Sequence, residues 1–213
     1  SLVDYPGLVS VVLFTPGCNY DCFFCHNRQL INDSGKGIDQ DEIDRFLAKR
    51  AGLLDAVVVT GGEPTLQSDL ISYLESVKGH GYKIKLDSNG SAPQVIEAVL
   101  KSGLCDYFAI DYKGPAARYT EFCGDNAKAD AVLATITTLI DAGAAFEVRT
   151  TVVPQLHEND LVHMAQELPI VLRYVLNRYR LPEHYRLQDR DRILETRYTQ
   201  QQIDAFALML REW

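Results

Sequence analysis

Three cysteines stand close together near the start of the chain. Cys18, Cys22 and Cys25 follow a short apolar run, so their thiolates can converge on one soft metal centre. A structural zinc site usually has four protein ligands, and only three are in place here. The sharpest interpretation is a four-iron, four-sulfur cluster that is held by three cysteines and keeps one iron open to a small molecule.

Other interpretations fit part of the same pattern. The run from Cys22 to His26 matches the c-type haem attachment motif, and Cys22 with Cys25 matches a thioredoxin-like pair, but both leave Cys18 without a role. Zinc with His26 as a fourth ligand would require two adjacent residues, Cys25 and His26, to reach the same ion. These alternatives stay open at this point.

The composition is that of an ordinary globular chain. Of 213 residues, 46% are hydrophobic and 23% are charged, which excludes disordered and low-complexity scaffolds. The net charge of −8 argues against a general nucleic-acid binder, and no apolar run approaches the roughly 18 residues of a membrane span. The five cysteines are odd in number and unevenly spaced, unlike a secreted disulfide framework. Because the chain begins at Ser1 without a methionine, the lack of a signal peptide says little about compartment.

Six short apolar runs alternate with amphipathic stretches. Near-continuous apolar runs predict strands buried on both faces of a parallel sheet, and the amphipathic stretches predict helices. A closed barrel of this kind needs eight such units and roughly 250 residues. We therefore predict an α/β fold: a partial (β/α)6 TIM-like barrel with a parallel sheet and the cluster at the C-terminal ends of the strands. The alternative is a flat doubly wound sheet. The predicted strands are residues 11–14, 57–59, 84–86, 107–110, 146–152 and 172–176.

No linker rich in proline, glycine or serine divides the chain. We therefore expect one domain over residues 1–213. Its core covers about 8–177, and a C-terminal extension and helix cover 178–213.

Polar or glycine-rich motifs follow the next four predicted strands or lie within them. Gly61-Gly62-Glu63 offers oxygens suited to an ammonium group, and Lys113 could pair with a ligand carboxylate. Each motif alone also fits a plain turn or a surface ion pair. Together with an open iron they suit S-adenosylmethionine. Ser88 and Asn89 are further candidates, because their side chains suit a ribose. The last two candidates are Asp111 and Arg149, and Arg149 places a charge within a predicted strand.

At this point the motifs show a family resemblance. The run from Cys18 to Cys25, with Phe24 before the last cysteine, resembles the Cys-x3-Cys-x-aromatic-Cys signature of the radical S-adenosylmethionine superfamily. Cys25-His26-Asn27 and Gly61-Gly62-Glu63-Pro64 are similar to its glycyl-radical-enzyme activating branch. The resemblance is strongest to the anaerobic ribonucleoside-triphosphate reductase activating proteins, and it runs from Leu2 to about Asp160.

The resemblance implies a role for each candidate residue. Cys18, Cys22 and Cys25 would ligate three irons, and the cofactor's methionyl group would chelate the fourth. The cofactor-binding residues would be Phe24 at the adenine, Gly61, Gly62 and Glu63 at the amino group, Ser88 and Asn89 near the ribose, and Asp111, Lys113 and Arg149 beside the cofactor, with Lys113 near its carboxylate.

The implied activity is reductive cleavage of S-adenosylmethionine, after which a 5′-deoxyadenosyl radical removes a hydrogen from a glycine of a partner enzyme. The implied partners are a glycyl radical enzyme, most closely anaerobic ribonucleotide reductase, and reduced flavodoxin or ferredoxin as electron donor, in the cytoplasm. No nucleic acid and no membrane are expected. The alternatives are an activase of another glycyl radical enzyme, such as pyruvate formate-lyase, and a non-catalytic iron–sulfur or zinc module.

The sequence departs from its relatives in two respects. No cysteine lies between Cys25 and Cys105, so we expect one cluster only. Some relatives place a histidine on the last strand, where this chain has Asn177-Arg178-Tyr179-Arg180. His184 is a candidate substitute, although an exposed loop position also fits it.

The stretch 171–198 differs from the rest of the acidic chain, because it holds seven arginines and four acidic residues, interleaved with tyrosines. Arginine and tyrosine are enriched at protein interfaces. The stretch is interpreted either as a docking surface for the partner enzyme or as a solvated face with local ion pairs.

Overall fold

The computed structural model describes residues 1–32 and 37–212. Six parallel strands form one sheet, and their order in the sheet is the same as their order along the chain. The register places Val12 beside Val58 and Asp111 beside Arg149. The strands are β1 (Ser10–Thr15), β2 (Ala56–Gly61), β3 (Lys83–Ser88), β4 (Tyr107–Asp111), β5 (Phe146–Val152) and β6 (Tyr174–Arg178).

Helices connect successive strands and extend beyond the last one. They are α1 (Gln40–Arg50), α2 (Leu70–Gly79), α3 (Pro93–Ser102), α4 (Tyr119–Cys123), α5 (Ala129–Asp141), α6 (Glu158–Glu167), α7 (Arg190–Ile193) and α8 (Gln200–Met209). Asp39 caps α1 by accepting a hydrogen bond from the Asp41 amide, and Thr199 with Gln202 forms a capping box on α8.

The strand order confirms the partial barrel. A doubly wound sheet reverses its strand order at a switch point, whereas here every crossover advances in one direction. Because such crossovers share one hand, the helices cover one face of the sheet. Val57, Ile84 and Phe108 pack with the helices in one large apolar cluster. The edge strands β1 and β6 do not pair with each other, so the barrel is open between them.

All six predicted strands are confirmed, and only β6 is displaced. It was predicted at 172–176 and lies at Tyr174–Arg178. Leu172 is fully exposed and precedes the strand, so its apolar side chain was a misleading sign of where the strand begins. Pairing with β5 sets the start instead, with Tyr174 opposite Val148.

The N-terminal segment packs at the end of the barrel where the strands begin. Tyr5 is buried and its ring lies 5.7 Å from that of Tyr107, at the start of β4. Lys85 on β3 donates a hydrogen bond of 2.6 Å to the Asp4 carbonyl oxygen. These contacts do not involve the opposite end of the barrel, where the strands finish and where barrels of this kind bind their ligands.

None of the helices in the described part of the chain has the length and apolar character needed to cross a bilayer.

Candidate active site

One cavity of about 230 Å³ lies at the C-terminal ends of the strands. It brings together every site residue predicted from the sequence: Cys18, Cys22, Phe24, Cys25, Gly61, Gly62, Glu63, Ser88, Asn89, Asp111, Lys113 and Arg149. We call it the cofactor cavity. Its further lining residues are Tyr20, His26, Asn27, Thr60, Asp87 and Thr151. His184 is not among them, because it is exposed on the loop after β6.

Backbone contacts hold the cysteine loop that follows β1. The Gly17 amide donates to the Leu30 carbonyl at 2.7 Å, so the loop closes on itself. The Asp21 amide donates to the carbonyl of Cys123 at 2.9 Å, which fastens the loop to α4. Arg28 adds a hydrogen bond of 2.7 Å to the Asp21 carboxylate. The three thiols are therefore presented by a loop that is anchored on both sides.

The three thiols have different electrostatic surroundings. Burial raises the pKa of Cys18 to about 11 and also raises that of Cys25. The pKa of Cys22 is lowered, chiefly because the buried Cys123 thiol donates a hydrogen bond to it. A bound cationic centre reverses such burial effects, because it stabilises the thiolate directly. Cys105 is remote: its thiol donates to the Tyr107 carbonyl at the opposite end of the barrel.

The paired glycines bring two loops together. A Cβ at Gly61 would lie 2.2 Å from the Thr15 amide nitrogen, and one at Gly62 would lie 1.9 Å from the Gly17 carbonyl oxygen. The Glu63 amide also donates to the Gly17 oxygen at 2.8 Å. The backbone that lies against these glycines belongs to the end of β1 and to the start of the cysteine loop.

Glu63 is completely buried and links two further loops. Its carboxylate accepts hydrogen bonds from the Thr65 amide at 3.0 Å, the Thr65 hydroxyl at 2.6 Å, the Ser88 hydroxyl at 2.8 Å and the Asn89 amide at 2.7 Å. Burial raises the pKa of Glu63, and these donors oppose the rise. Asn89 in turn donates to the Asn19 side chain at 2.9 Å. The loops after β1, β2 and β3 are thus hydrogen-bonded into one rigid rim.

Alternating charges form a second wall of the cavity. Arg149 donates to Asp87 at 3.0 Å and to Asp111 at 2.9 Å, and Lys113 donates to Asp111 at 2.9 Å. Although burial opposes ionisation, Arg149 and Lys113 hold the pKa of Asp111 well below its usual range. Asp111 in turn keeps Lys113 protonated, since its carboxylate raises the lysine pKa against the effect of burial. The wall presents a fixed ammonium group to the cavity.

Further charged side chains extend this arrangement deeper into the barrel interior. Lys85 is 2% exposed and lies 3.3 Å from Asp87 and 3.4 Å from Glu147. Ala109 stands between Asp87 and Glu147 in the sheet register, so the long side chains of β3 and β5 meet across a small one. Sequence reasoning missed Lys85 and Asp87. The available signal was a pair of opposite charges two residues apart, and therefore on one face of the strand, in both β3 (Lys85, Asp87) and β5 (Glu147, Arg149).

The chain matches the family model of the radical SAM superfamily over residues 12–168. It therefore belongs to the radical SAM superfamily, whose cofactors are S-adenosylmethionine and an iron–sulfur cluster. A protein of Methanocaldococcus jannaschii, provisionally named a glycyl-radical enzyme activating enzyme, is 34% identical over 87% of this chain and 79% of its own length. A protein of Thermococcus kodakarensis, assigned by name to GTP 3′,8-cyclase, is 31% identical over 44% of this chain and 31% of its own length.

Solved structures share the fold. Streptococcus suis SuiB bound to S-adenosylmethionine has a TM-score of 0.74 and 15% identity, covering 96% of this chain and 47% of SuiB. TYW1 with a lysine-pyruvate adduct has a TM-score of 0.61 and 16% identity, covering 95% of this chain and 73% of TYW1. The chain thus spans about half the length of SuiB and most of TYW1. At these identities the likeness establishes the fold, which is the partial barrel predicted above.

Proposed function

We propose that the protein cleaves S-adenosylmethionine reductively at one four-iron, four-sulfur cluster and generates a glycyl radical on a partner enzyme. The convergence of residues carries the proposal: twelve residues predicted from five separate parts of the chain line one cavity. They meet at the strand ends, where barrels of this kind hold their ligands. The name of the 34% identical relative points to the same activity.

The donor set favours an iron–sulfur cluster over a zinc module. The thiols of Cys18, Cys22 and Cys25 all line the cofactor cavity. Across residues 1–32 and 37–212, no three His, Cys, Asp or Glu side chains come close enough to hold a single metal ion. A four-iron cluster is larger than one ion and spreads its thiolates further apart, so three thiols around a cavity suit it better.

The remaining lining residues would bind and orient the cofactor. When bound, the cluster and cofactor supply an electron and a 5′-deoxyadenosyl radical. Lys113, held by Asp111 at 2.9 Å, would meet the methionyl carboxylate. The rim built by Glu63 would fix the amino group, with Ser88 and Asn89 at the ribose. Phe24, which is 5% exposed and packs edge-on against Phe23, would offer a rigid apolar surface to the adenine.

The proposed partner is anaerobic ribonucleotide reductase, with reduced flavodoxin or ferredoxin as electron donor, in the cytoplasm. An activase of pyruvate formate-lyase or another glycyl radical enzyme has the same chemistry and differs in the partner surface alone. The organisation of residues 1–213 as one domain stays a prediction.

The decisive experiment is anaerobic reconstitution followed by reduction with S-adenosylmethionine. We expect about four irons per chain, a count typical of this cluster type, and release of 5′-deoxyadenosine. Cys18→Ala, Cys22→Ala and Cys25→Ala are each expected to lose both the iron and the cleavage product.

Two other cysteines provide the controls. Cys105→Ala is remote from the cavity and should keep all the iron. Cys123→Ala removes the thiol beside Cys22 and should also keep it, because three thiolates suffice as ligands. Loss of iron in Cys123→Ala would show that four thiolates ligate the metal centre, which contradicts a cluster with one open iron. Zinc in place of iron in the wild-type protein would favour the non-catalytic module.

A further inference from the structure

A second cavity, of about 530 Å³, opens at the end of the edge strand β6. Three arginines surround it, together with two polar side chains and one buried tyrosine. We call it the arginine cavity. Its lining includes Asn177, Arg178, Tyr179, Arg180, Arg197 and Gln200.

Six of the seven arginines of the stretch 171–198 fall into two groups. The seventh, Arg190, is exposed, lies outside the cavity and pairs with no carboxylate in the described part of the chain. Arg173 pairs with Glu147 at 2.7 Å, Arg186 pairs with Asp189 and Asp21, and Arg192 stacks 3.9 Å above the Phe23 ring. These three are engaged in holding the fold. In contrast, none of the arginines at the cavity pairs with a carboxylate among the side chains that the structure describes. The second group consists of Arg178, Arg180 and Arg197, which are all exposed.

Tyr179 provides an independent observation. It is 2% exposed, and its hydroxyl has no hydrogen-bond partner in the part of the chain described. Burial raises the pKa of Tyr179 to about 12, and the nearby Arg197 guanidinium opposes the rise. A buried hydroxyl without a partner is unfavourable and is normally satisfied by water or a ligand. Tyr179 lines the same cavity as the three arginines, so we place its phenol in the same polar site.

The two cavities share a wall. The Tyr179 ring lies edge-on to His26, with 6.1 Å between ring centroids, and His26 lines the cofactor cavity. The Arg180 main chain also faces the His26 ring and raises its pKa against the effect of burial. A group bound in the arginine cavity would lie beside the lateral opening between β6 and β1, next to the cofactor cavity.

We infer that the arginine cavity binds the carboxylates of an acidic segment of the partner protein. Three positive charges around one cavity repel each other until an anion compensates them, and guanidinium groups match carboxylates in geometry. The overall charge of −8 disfavours a long polyanion such as nucleic acid, because the rest of the surface repels it. A short acidic segment avoids that repulsion. Naming the partner as a glycyl radical enzyme rests on the proposed function, whereas the acidic specificity does not.

The binding test uses fluorescein-labelled hexaglutamate and the reconstituted protein, with fluorescence anisotropy at low and physiological salt. We expect Arg178→Glu with Arg180→Glu to weaken peptide binding by about 10-fold or more. The matched control is Arg45→Glu with Arg190→Glu, which makes the same charge change at exposed positions outside the cavity and should bind as the wild type does. Arg197→Gln provides a milder variant that should weaken binding several-fold.

Three results would overturn the inference: equal loss in the cavity and control variants, no binding by the wild type, or tighter binding of a hexameric RNA than of hexaglutamate at physiological salt. A thermal unfolding curve and the iron content establish that each variant is folded.

The functional test compares two rates on one preparation. Glycyl-radical formation on the partner should fall in Arg178→Glu with Arg180→Glu, and cofactor cleavage without the partner should persist. Equal loss of both rates would place these arginines with the cofactor or the fold instead. If no cofactor cleavage occurs even in the wild type, the proposed function fails, while the peptide measurement still decides the arginine cavity.

Discussion

The cofactor cavity and the arginine cavity use positive charge in opposite ways. In the first, Arg149 and Lys113 each lie within 3.0 Å of a carboxylate. In the second, Arg178, Arg180 and Arg197 have no carboxylate partner among the described side chains. The cofactor cavity thus contains its own counter-ions and holds its cations in place before any ligand binds. The arginine cavity leaves its cations available to an anion that another molecule brings.

Burial explains why the two arrangements differ. An ionised group inside a protein is strongly unfavourable without a partner, so the barrel interior must pair its charges internally. An exposed arginine is hydrated and can stay without a partner at little cost in stability. Paired interior charges suit a permanent cofactor site, and hydrated exterior charges suit a transient contact. Substitutions in the two regions should therefore differ in their effect on stability.

The largest effect on stability is expected from Lys85→Met. This change leaves Asp87 and Glu147 short of a buried cation, and we expect it to lower the free energy of unfolding by roughly 3 kcal/mol. Lys83→Met is the matched control on the same strand, because Lys83 is 60% exposed where it pairs with Asp106. The control should lose less than about 1 kcal/mol. Urea unfolding at pH 7 measures both, and similar losses would show that the interior charges contribute no more than surface ones.

Lys113→Ala tests whether the paired charges serve the cofactor. Loss of a charge-assisted contact is worth about 1.5–3 kcal/mol, so the affinity for S-adenosylmethionine should fall by about 10- to 150-fold. The cluster spectrum should stay intact, because Lys113 is not one of the three proposed thiolate ligands. Equilibrium binding to the reconstituted protein gives the affinity, with the exposed Lys101→Ala as control. Unchanged affinity would remove Lys113 from the cofactor site.

Asp111→Asn should have an effect that depends on pH. The pKa of Asp111 lies below its unfolded value, so its carboxylate stabilises the fold at pH values above about 3.9, and this contribution is lost as the pH falls further. We expect the variant to be less stable than the wild type by about 2 kcal/mol at pH 7. The difference should shrink as the pH is lowered from 5 towards 2. Urea unfolding across this range measures it, and a constant difference would contradict ionic stabilisation.

The smallest effect on stability is expected in the arginine cavity. Arg178→Gln with Arg180→Gln should change the free energy of unfolding by less than about 0.5 kcal/mol, because both side chains are exposed and no buried pair is broken. A slight increase in the free energy of unfolding would also agree with this prediction, because the substitutions remove like charges that repel each other. A loss comparable with that of Lys85→Met would mean that these arginines hold the fold, and the contrast between the two cavities would disappear.

The sequence by itself was enough to locate the cofactor cavity. Parallel strands joined by helices finish at one edge of a sheet, so residues that follow the first four strands were expected to meet there, close to a charge within the fifth. Cys18, Glu63, Asn89, Lys113 and Arg149 therefore lie together as predicted. This inference needed only the strand ends, which apolar runs and turn residues mark well.

Only the tertiary structure decided which charges meet. Lys85 reaches Glu147 because the register of β3, β4 and β5 places the small Ala109 between Asp87 and Glu147, and no local pattern specifies that register. The contact of Cys22 with Cys123 likewise depends on where α4 packs. Among the arginines near β6, composition cannot separate Arg173, which pairs with a buried carboxylate, from Arg178, which does not. Long-range pairing depends on distances between segments remote in sequence, and those distances exist only once the chain has folded.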